Sequence, residues 1–144
     1  EYLTSLIEQY ELQKYVFDTG AFSYIKSLEK MASYDVLVII EANVRPGIFL
    51  PSKLIDYSQL DVPILAITPE GSCVSRKITH YGGGVVADCT SDEQILIALS
   101  SMLEKWRTEK LSCSYSTGRL YSRFSPDHVM EIYNSIFVEV FTKY

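Results

Sequence analysis

The residues best suited to chemistry lie in the segment GIFLPSKLIDYSQLDVP, which runs from Gly47 to Pro63. Pro51 is predicted to occupy the first helical position, where proline is preorganised and removes an N–H that would lack a partner. Leu50 has no side chain that can cap this helix, so the amides of Ser52 and Lys53 are expected to face outward. A helix start of this kind after a parallel strand is suited to binding phosphate.

A carboxylate, Asp56, follows about a turn and a half after Pro51 on the same helix. It could accept hydrogen bonds from a ribose diol while the helix start binds the attached diphosphate. On position alone, a solvated helix start and a solvated carboxylate are the simpler interpretation. The chain has no P-loop, GxGxxG or GxSxG motif, and His80 and His128 are interpreted as surface or helix-end residues. Asp61 precedes a strand and is interpreted as a turn residue.

The elements that position these residues follow from hydrophobic periodicity. Strands are predicted near residues 15, 37, 65 and 86, the first of them being Tyr15–Phe17. Helices are predicted at 2–9, 22–33, 51–60 and 72–81, after a capping box of Ser91 and Gln94, and after Ser125. The glycines Gly82–Gly84 enter a strand, which predicts a tight turn and not a phosphate site. This alternation predicts an α/β fold, an open, mostly parallel Rossmann-like sheet with helices on both faces, which binds ligands beyond the carboxyl ends of its strands.

Composition limits the classes of partner. The chain has 144 residues, 47% hydrophobic and 22% charged, with a formal net charge of -5, which argues against nucleic acid or an anionic membrane as the main partner. Cys73, Cys89 and Cys113 show no metal-ligand spacing and are expected to be reduced thiols of a cytoplasmic protein. The basic and aromatic residues of Thr108–Ser122 could touch a lipid surface or a nucleic acid, but a solvated linker with a short helix is the preferred interpretation.

The order of motifs from Asp35 to Trp106 resembles the donor-binding half of GT-B glycosyltransferases, in the large retaining group called family four. The similarity lies in a strand and a loop followed by PSKLIDY, VPILAIT, PEGS and the strand GGGVVADC, in this order and with the family's gaps. FSPDHVMEIY is similar to the start of the family's final helix. The resemblance implies an enzyme that transfers a glycosyl group from a UDP- or GDP-sugar to a saccharide or lipid-linked acceptor in bacterial-type polysaccharide biosynthesis. It implies no metal and no other cofactor.

The resemblance also implies a set of donor-binding residues. They are Pro51, Ser52 and Lys53 for the diphosphate, Asp56 for the ribose, and Thr19, Gly20 and Ala21 for the base. The family more often has Glu at the position of Asp56. The family's sugar-binding acid matches Ile48, which has no carboxylate, so Glu41 and Arg45 in the same loop are the substitutes to consider. The resemblance assigns no catalytic residue.

The chain starts with Glu1, and we expect it to be part of a longer enzyme. Residues 1–106 are predicted to form the nucleotide-sugar-binding domain without the family's first strands, and residues 107–144 a linker and a helix that packs on that domain. The acceptor-binding domain would lie upstream. We expect the chain alone to be inactive, to bind nucleotide weakly and to form a homodimer through an exposed sheet edge. The parent is expected in the cytoplasm, with peripheral association to the membrane.

Two other classes of protein stay open from the sequence. A non-catalytic α/β binding or signalling module of the receiver type would place acidic residues opposite a lysine, with a spacing that Asp18, Glu41 and Lys53 do not reproduce. A sugar-nucleotide epimerase of GT-B-like architecture would share the diphosphate site, and would use additional acids and a histidine for proton transfer. The chain has only two histidines, which weighs against the epimerase.

Overall fold

The computed structural model describes residues 2–44 and 49–142, and in them eight helices alternate with or flank three strands. In chain order these elements are α1 Tyr2–Gln9, α2 Tyr24–Met31, β1 Leu37–Ile40, α3 Ser52–Ser58, β2 Ile64–Thr68, α4 Cys73–Tyr81, β3 Gly84–Asp88, α5 Asp92–Arg107, α6 Leu111–Ser114, α7 Gly118–Tyr121 and α8 Pro126–Phe141. None of the helices in these two ranges has the length and apolar character needed to cross a membrane.

The sheet has three parallel strands in the order β1-β2-β3. The first residues of the strands are level, since Leu37 lies opposite Ile64 and Ile64 lies opposite Gly84. β1 and β2 consist mainly of Val, Ile and Leu, as parallel strands between helices usually do. The prediction of an open, parallel α/β sheet is confirmed.

Helices cover both faces of this sheet, as predicted. On the first face α3, α4 and α7 enclose a core of Ile39, Leu54, Ile64, Ala66, Val74, Ile78 and Leu120. On the second face α5 and α6 enclose a core of Leu65, Ala87, Ala98, Met102 and Leu111. Side chains alternate along a strand, so Ile64 and Ala66 contribute to the first core and Leu65 to the second.

The strand predicted at Tyr15–Phe17 is not formed. The amides of Tyr15 and Val16 both donate to the carbonyl of Leu12 in a turn, and the side chains of Tyr15 and Phe17 are 77% and 71% exposed. A strand needs a neighbour for its ladder of hydrogen bonds and a surface that covers one face. In the described part of the chain β1 pairs only with β2, so the prediction of four strands is wrong.

Residues 108–122 are not a solvated linker. They form α6 and α7, which bury Leu111 in the second core and Leu120 in the first. Leu120 is completely inaccessible to solvent. The segment beyond residue 107 therefore completes both cores of the α/β unit.

Asp61 attaches this segment to the turn between α3 and β2. Its Oδ1 accepts hydrogen bonds from the Thr117 amide at 3.0 Å and the Ser116 hydroxyl at 3.2 Å. The hydroxyl of Thr117 donates to the Ser58 carbonyl at 2.8 Å, and both of these residues are buried. The φ angle of Asp61 is +50°, a left-handed conformation that Asp adopts more readily than most residues. Its interpretation as a turn residue alone is therefore incomplete.

The tight turn predicted at Gly82–Gly84 is confirmed. Gly82 and Gly83 have φ angles of 82° and 96°, which favour glycine. A Cβ atom on Gly84 would lie 1.8 Å from the carbonyl oxygen of Ile64. The missing side chain at Gly84 therefore allows β3 to pair with the start of β2.

The last helix, α8, begins as predicted, with the hydroxyl of Ser125 accepting from the His128 amide at 3.4 Å and with Pro126 in the first turn. None of its residues is buried. Ile136 and Phe137, in the middle of its apolar stripe, are 51% and 56% exposed. The sheet therefore does not bury the stripe of α8.

Candidate functional site

The start of α3 lies at the carboxyl edge of the sheet, because the helix of a β–α–β crossover runs back against its strands. Pro51 is the residue before the first helical position, with extended angles of φ −67° and ψ 136°, so the helix begins one residue later than predicted. No side chain caps this helix, as predicted. The Leu54 amide donates to the Pro51 carbonyl at 3.0 Å, and helix geometry points the amides of Ser52 and Lys53 out of the first turn. The side chains of Ser52 and Lys53 are exposed.

Asp56 lies on the part of α3 that contacts α2. The phenol of Tyr24, the first residue of α2, donates to Asp56 Oδ1 at 2.8 Å. This hydrogen bond, followed by partial desolvation and the negative charge of Asp56, raises the pKa of the Tyr24 phenol. Burial and then the charge of Asp56 raise the pKa of Tyr57. The carboxylate predicted to bind ribose thus has a protein partner on one of its two oxygens.

The turn predicted to contact the base ends shortly before Tyr24. Thr19, Gly20 and Ala21 are exposed, Gly20 has a φ angle of 68°, and its amide donates to Asp18 Oδ1 at 2.9 Å. Since Ala21 precedes Tyr24 by three residues, the contact between Tyr24 and Asp56 places this turn near α3. The structure therefore brings the predicted base and ribose residues into one region.

Glu41 belongs to a second polar cluster at the carboxyl edge, which the sequence did not indicate. Its Oε2 accepts hydrogen bonds from the Thr68 hydroxyl and, at 3.1 Å, from the Ser72 hydroxyl. These two hydroxyls are 2.6 Å apart, and Ser72 also caps α4 by accepting from the Ser75 amide at 3.0 Å. Thr68 and Ser72 are buried. The cluster joins the end of β1 to the end of β2 and the start of α4.

Two small cavities flank this cluster. One of about 180 Å³ is lined by Glu41, Ala42, Val44, Phe49 and Pro69, and another of about 130 Å³ by Thr68, Glu70, Ser75, Val86, Asp88 and Gln94. Their linings come from the strands β2 and β3 and from the segments that follow the three strands. Both are smaller than the roughly 300–1,000 Å³ of a typical small-molecule site. Neither cavity, as the described residues form it, is large enough to enclose a nucleotide.

Larger cavities lie away from the start of α3. An apolar groove of about 450 Å³ runs between β1 and α5, with Val38, Leu103 and Trp106 in its lining. A second, of about 370 Å³, lies at the amino end of the strands near Asp61 and Trp106, and a third, of about 730 Å³, follows α4. Cavity size alone therefore does not single out the predicted site.

The remaining site predictions concern the loop before α3 and metals. Arg45 and Ile48 lie outside the described residues, so their roles stay predictions. Throughout residues 2–44 and 49–142, no three His, Cys, Asp or Glu residues form a group that could hold a metal ion. The three cysteines are free thiols.

Comparisons with protein-family models, with curated proteins and with solved structures each gave no significant match. The class that the structure itself defines is an α/β protein with an open, three-stranded parallel sheet of Rossmann-like form.

Proposed function

We propose that this chain is the nucleotide-sugar-binding part of a retaining GT-B glycosyltransferase of polysaccharide biosynthesis. One observation carries the proposal: the uncapped start of α3 and the carboxylate of Asp56 lie on one helix, beside the start of α2. The order of the motifs from Asp35 to Trp106 supports the same function.

The donor would bind across these elements. The amides of Ser52 and Lys53 would donate to the diphosphate, and the exposed Lys53 ammonium adds a positive charge to the same turn. Asp56 would accept from the ribose hydroxyls, since one hydrogen bond from Tyr24 leaves most of the acceptor sites of its carboxylate open. The exposed turn at Thr19–Ala21 would contact the base through its backbone.

The part of the site that would bind the donor sugar has the fewest assigned residues. Glu41 lines a cavity at the carboxyl edge, and we assign it to the sugar side of the donor. Its hydrogen bonds to Thr68 and Ser72 hold the carboxylate at the end of β1. This arrangement uses no metal ion.

The electrostatic stabilisation that one helix end can supply limits the activity expected of the chain alone. Negative charge develops on the diphosphate oxygens as the glycosyl bond breaks, and fixed N–H groups aimed at that charge stabilise it. One helix end contributes about 1 kcal/mol, or about 2 kcal/mol when partly buried. Enzymatic rate enhancement requires roughly 8 kcal/mol or more. Other groups must supply most of the stabilisation, so we expect weak nucleotide binding and no turnover by this chain.

Titration with UDP, GDP and their sugars, followed by NMR, tests the proposal. We expect shifts at the amides of Ser52 and Lys53, and an affinity about tenfold lower for Asp56→Asn, because a hydrogen bond to a charged group is lost. Asp127→Asn, in the first turn of α8, is the matched control and should bind like the unchanged chain.

Each alternative class gives a different result in this titration. Absence of shifts at α3 with millimolar UDP and GDP would favour a non-catalytic module. Exchange of a sugar C–H proton with solvent deuterium would favour an epimerase. Rapid glycosyl transfer by the isolated chain would contradict the expectation that other groups are needed.

A further inference from the structure

Tyr24 and Asp56 come from different helices, and their contact is specific. They are 32 residues apart in sequence, and the distance of 2.8 Å between the phenol oxygen and Oδ1 is typical of an O–H···O hydrogen bond. We propose that Tyr24 is a positioning residue for nucleotide binding, which holds the Asp56 carboxylate in the orientation that accepts the ribose hydroxyls. This inference rests on the proposed function.

The orientation of Asp56 matters because a free carboxylate on a helix surface samples several rotamers. Fixing a mobile side chain on binding lowers the affinity by about two- to twelvefold. A phenol bound to Oδ1 selects one rotamer before the ligand arrives and leaves Oδ2 available to a second donor. Tyr24 therefore restricts Asp56 without occupying both of its oxygens.

The Tyr24 side chain is 60% exposed, and two contacts hold the backbone just before it. Tyr24 is the first residue of α2, and the ring of Phe22 just before it lies 4.5 Å from the ammonium of Lys30 in the last turn, a cation–π contact along the length of the helix. On the other side, the Asp18 carboxylate holds the amide of Gly20. The contact with Asp56 thus links the start of α2 to α3, and keeps the predicted base and ribose positions in the same region.

The test compares ligands with and without ribose hydroxyls. UDP and 2′,3′-dideoxy-UDP are titrated into the full 144-residue chain, and then GDP and its dideoxy form. The unchanged chain should prefer the ribose form by about tenfold, the value expected for hydrogen bonds to a carboxylate. Tyr24→Phe keeps the ring and removes the hydroxyl. It should reduce this preference to about threefold or less and leave the affinity for the dideoxy ligand unchanged. Tyr10→Phe, an exposed tyrosine outside the contact, should preserve the full preference.

Several results would overturn the inference. An unchanged ribose preference in Tyr24→Phe, together with a lost preference in Asp56→Asn, would remove the role of Tyr24 and leave the proposed function intact. Tighter binding of UDP by Tyr24→Phe would show that the phenol competes with the ribose. Failure of the unchanged chain to bind UDP or GDP at α3 would remove the proposed function and this inference with it.

A measurement without ligand tests the contact directly. Side-chain coupling constants should report one rotamer of Asp56 in the unchanged chain and averaged rotamers in Tyr24→Phe. Equal couplings in the two proteins would refute the positioning role independently of nucleotide binding.

Discussion

Replacing Asp61 with alanine is expected to lower the free energy of unfolding by about 3 kcal/mol. The Asp61 carboxylate accepts from the amide of the buried residue Thr117 and from the hydroxyl of Ser116. Hydrogen bonds to a charged group contribute about 1.5–3 kcal/mol, and the Thr117 amide would lose its acceptor. The φ angle of +50° adds about 1 kcal/mol for alanine, whose Cβ is strained there.

Chemical and thermal denaturation would measure this loss. For a domain of this size, about 3 kcal/mol corresponds to a fall in Tm of about 6–12 °C. Asp61→Asn retains an acceptor oxygen and a tolerance of left-handed φ, so it should lose only about 1 kcal/mol. Asp61→Gly loses the acceptor but avoids the strain at positive φ, so it should be more stable than Asp61→Ala by up to about 1 kcal/mol.

A surface control separates the hydrogen bonds from the charge. Asp127→Ala removes a carboxylate in the first turn of α8, a helix without buried residues, and should cost less than about 1 kcal/mol. If Asp61→Ala also stayed within about 0.5 kcal/mol of the unchanged chain, the attachment of residues 116–118 would not depend on Asp61.

Four further predictions concern stability and titration. Gly84→Ala should cost more than about 4 kcal/mol or prevent folding, since its Cβ meets a backbone oxygen at 1.8 Å. Gly71→Ala should cost about 1–2 kcal/mol from its positive φ alone, because nothing lies within 4 Å of the added atom. If urea unfolding showed equal losses of unfolding free energy for Gly84→Ala and Gly71→Ala, the clash at Gly84 would be contradicted. Asp56→Asn should lower the pKa of Tyr24 toward about 10 and that of Tyr57 only in part, as measured by NMR, because burial is the first cause for Tyr57. Since the folded-state pKa of Tyr57 is raised, its contribution to stability is complete below about pH 10 and is lost as the pH rises through the folded value. Removing α8 and the residues after it should change the unfolding free energy by less than about 1 kcal/mol, and a larger loss would mean that the helix stabilises the domain.

Local sequence patterns predicted most of the elements because they record which side chains are apolar and which residues can cap. The β1 and β2 runs, the cap at Ser125, and the glycine turn before β3 are of this kind. The capping box at Ser91 is only half formed. Ser91 accepts from the Gln94 amide at 3.2 Å, but the Gln94 side chain accepts from the Asp88 amide at 3.1 Å. When a side chain has two donors within reach, sequence spacing alone does not determine which of them it accepts from.

The failures share a physical cause, which is that a pattern does not specify the surface that covers it. Tyr15–Phe17 is apolar enough for a strand but has no neighbouring strand in the described sheet. The polar composition around Thr117 predicts a linker, but the amide and hydroxyl of Thr117 form hydrogen bonds to Asp61 and Ser58.

The same limit applies to the candidate site. The α3 start and Asp56 could be predicted because they lie within one helix. The contact from Tyr24 and the bonds from Thr68 and Ser72 to Glu41 span 27 to 32 residues, and no local signal indicates them.

The burial of Leu120 has a consequence for the order of events during synthesis. A nascent chain that has emerged only as far as Arg107 contains all three strands, yet lacks the side chain that fills the space between α3, α4 and the sheet. The bond from Asp61 to Thr117 closes a loop of 56 residues, and contacts of such long range slow folding. On the ribosome both faces of the sheet therefore stay incompletely packed until Leu111 and Leu120 have emerged.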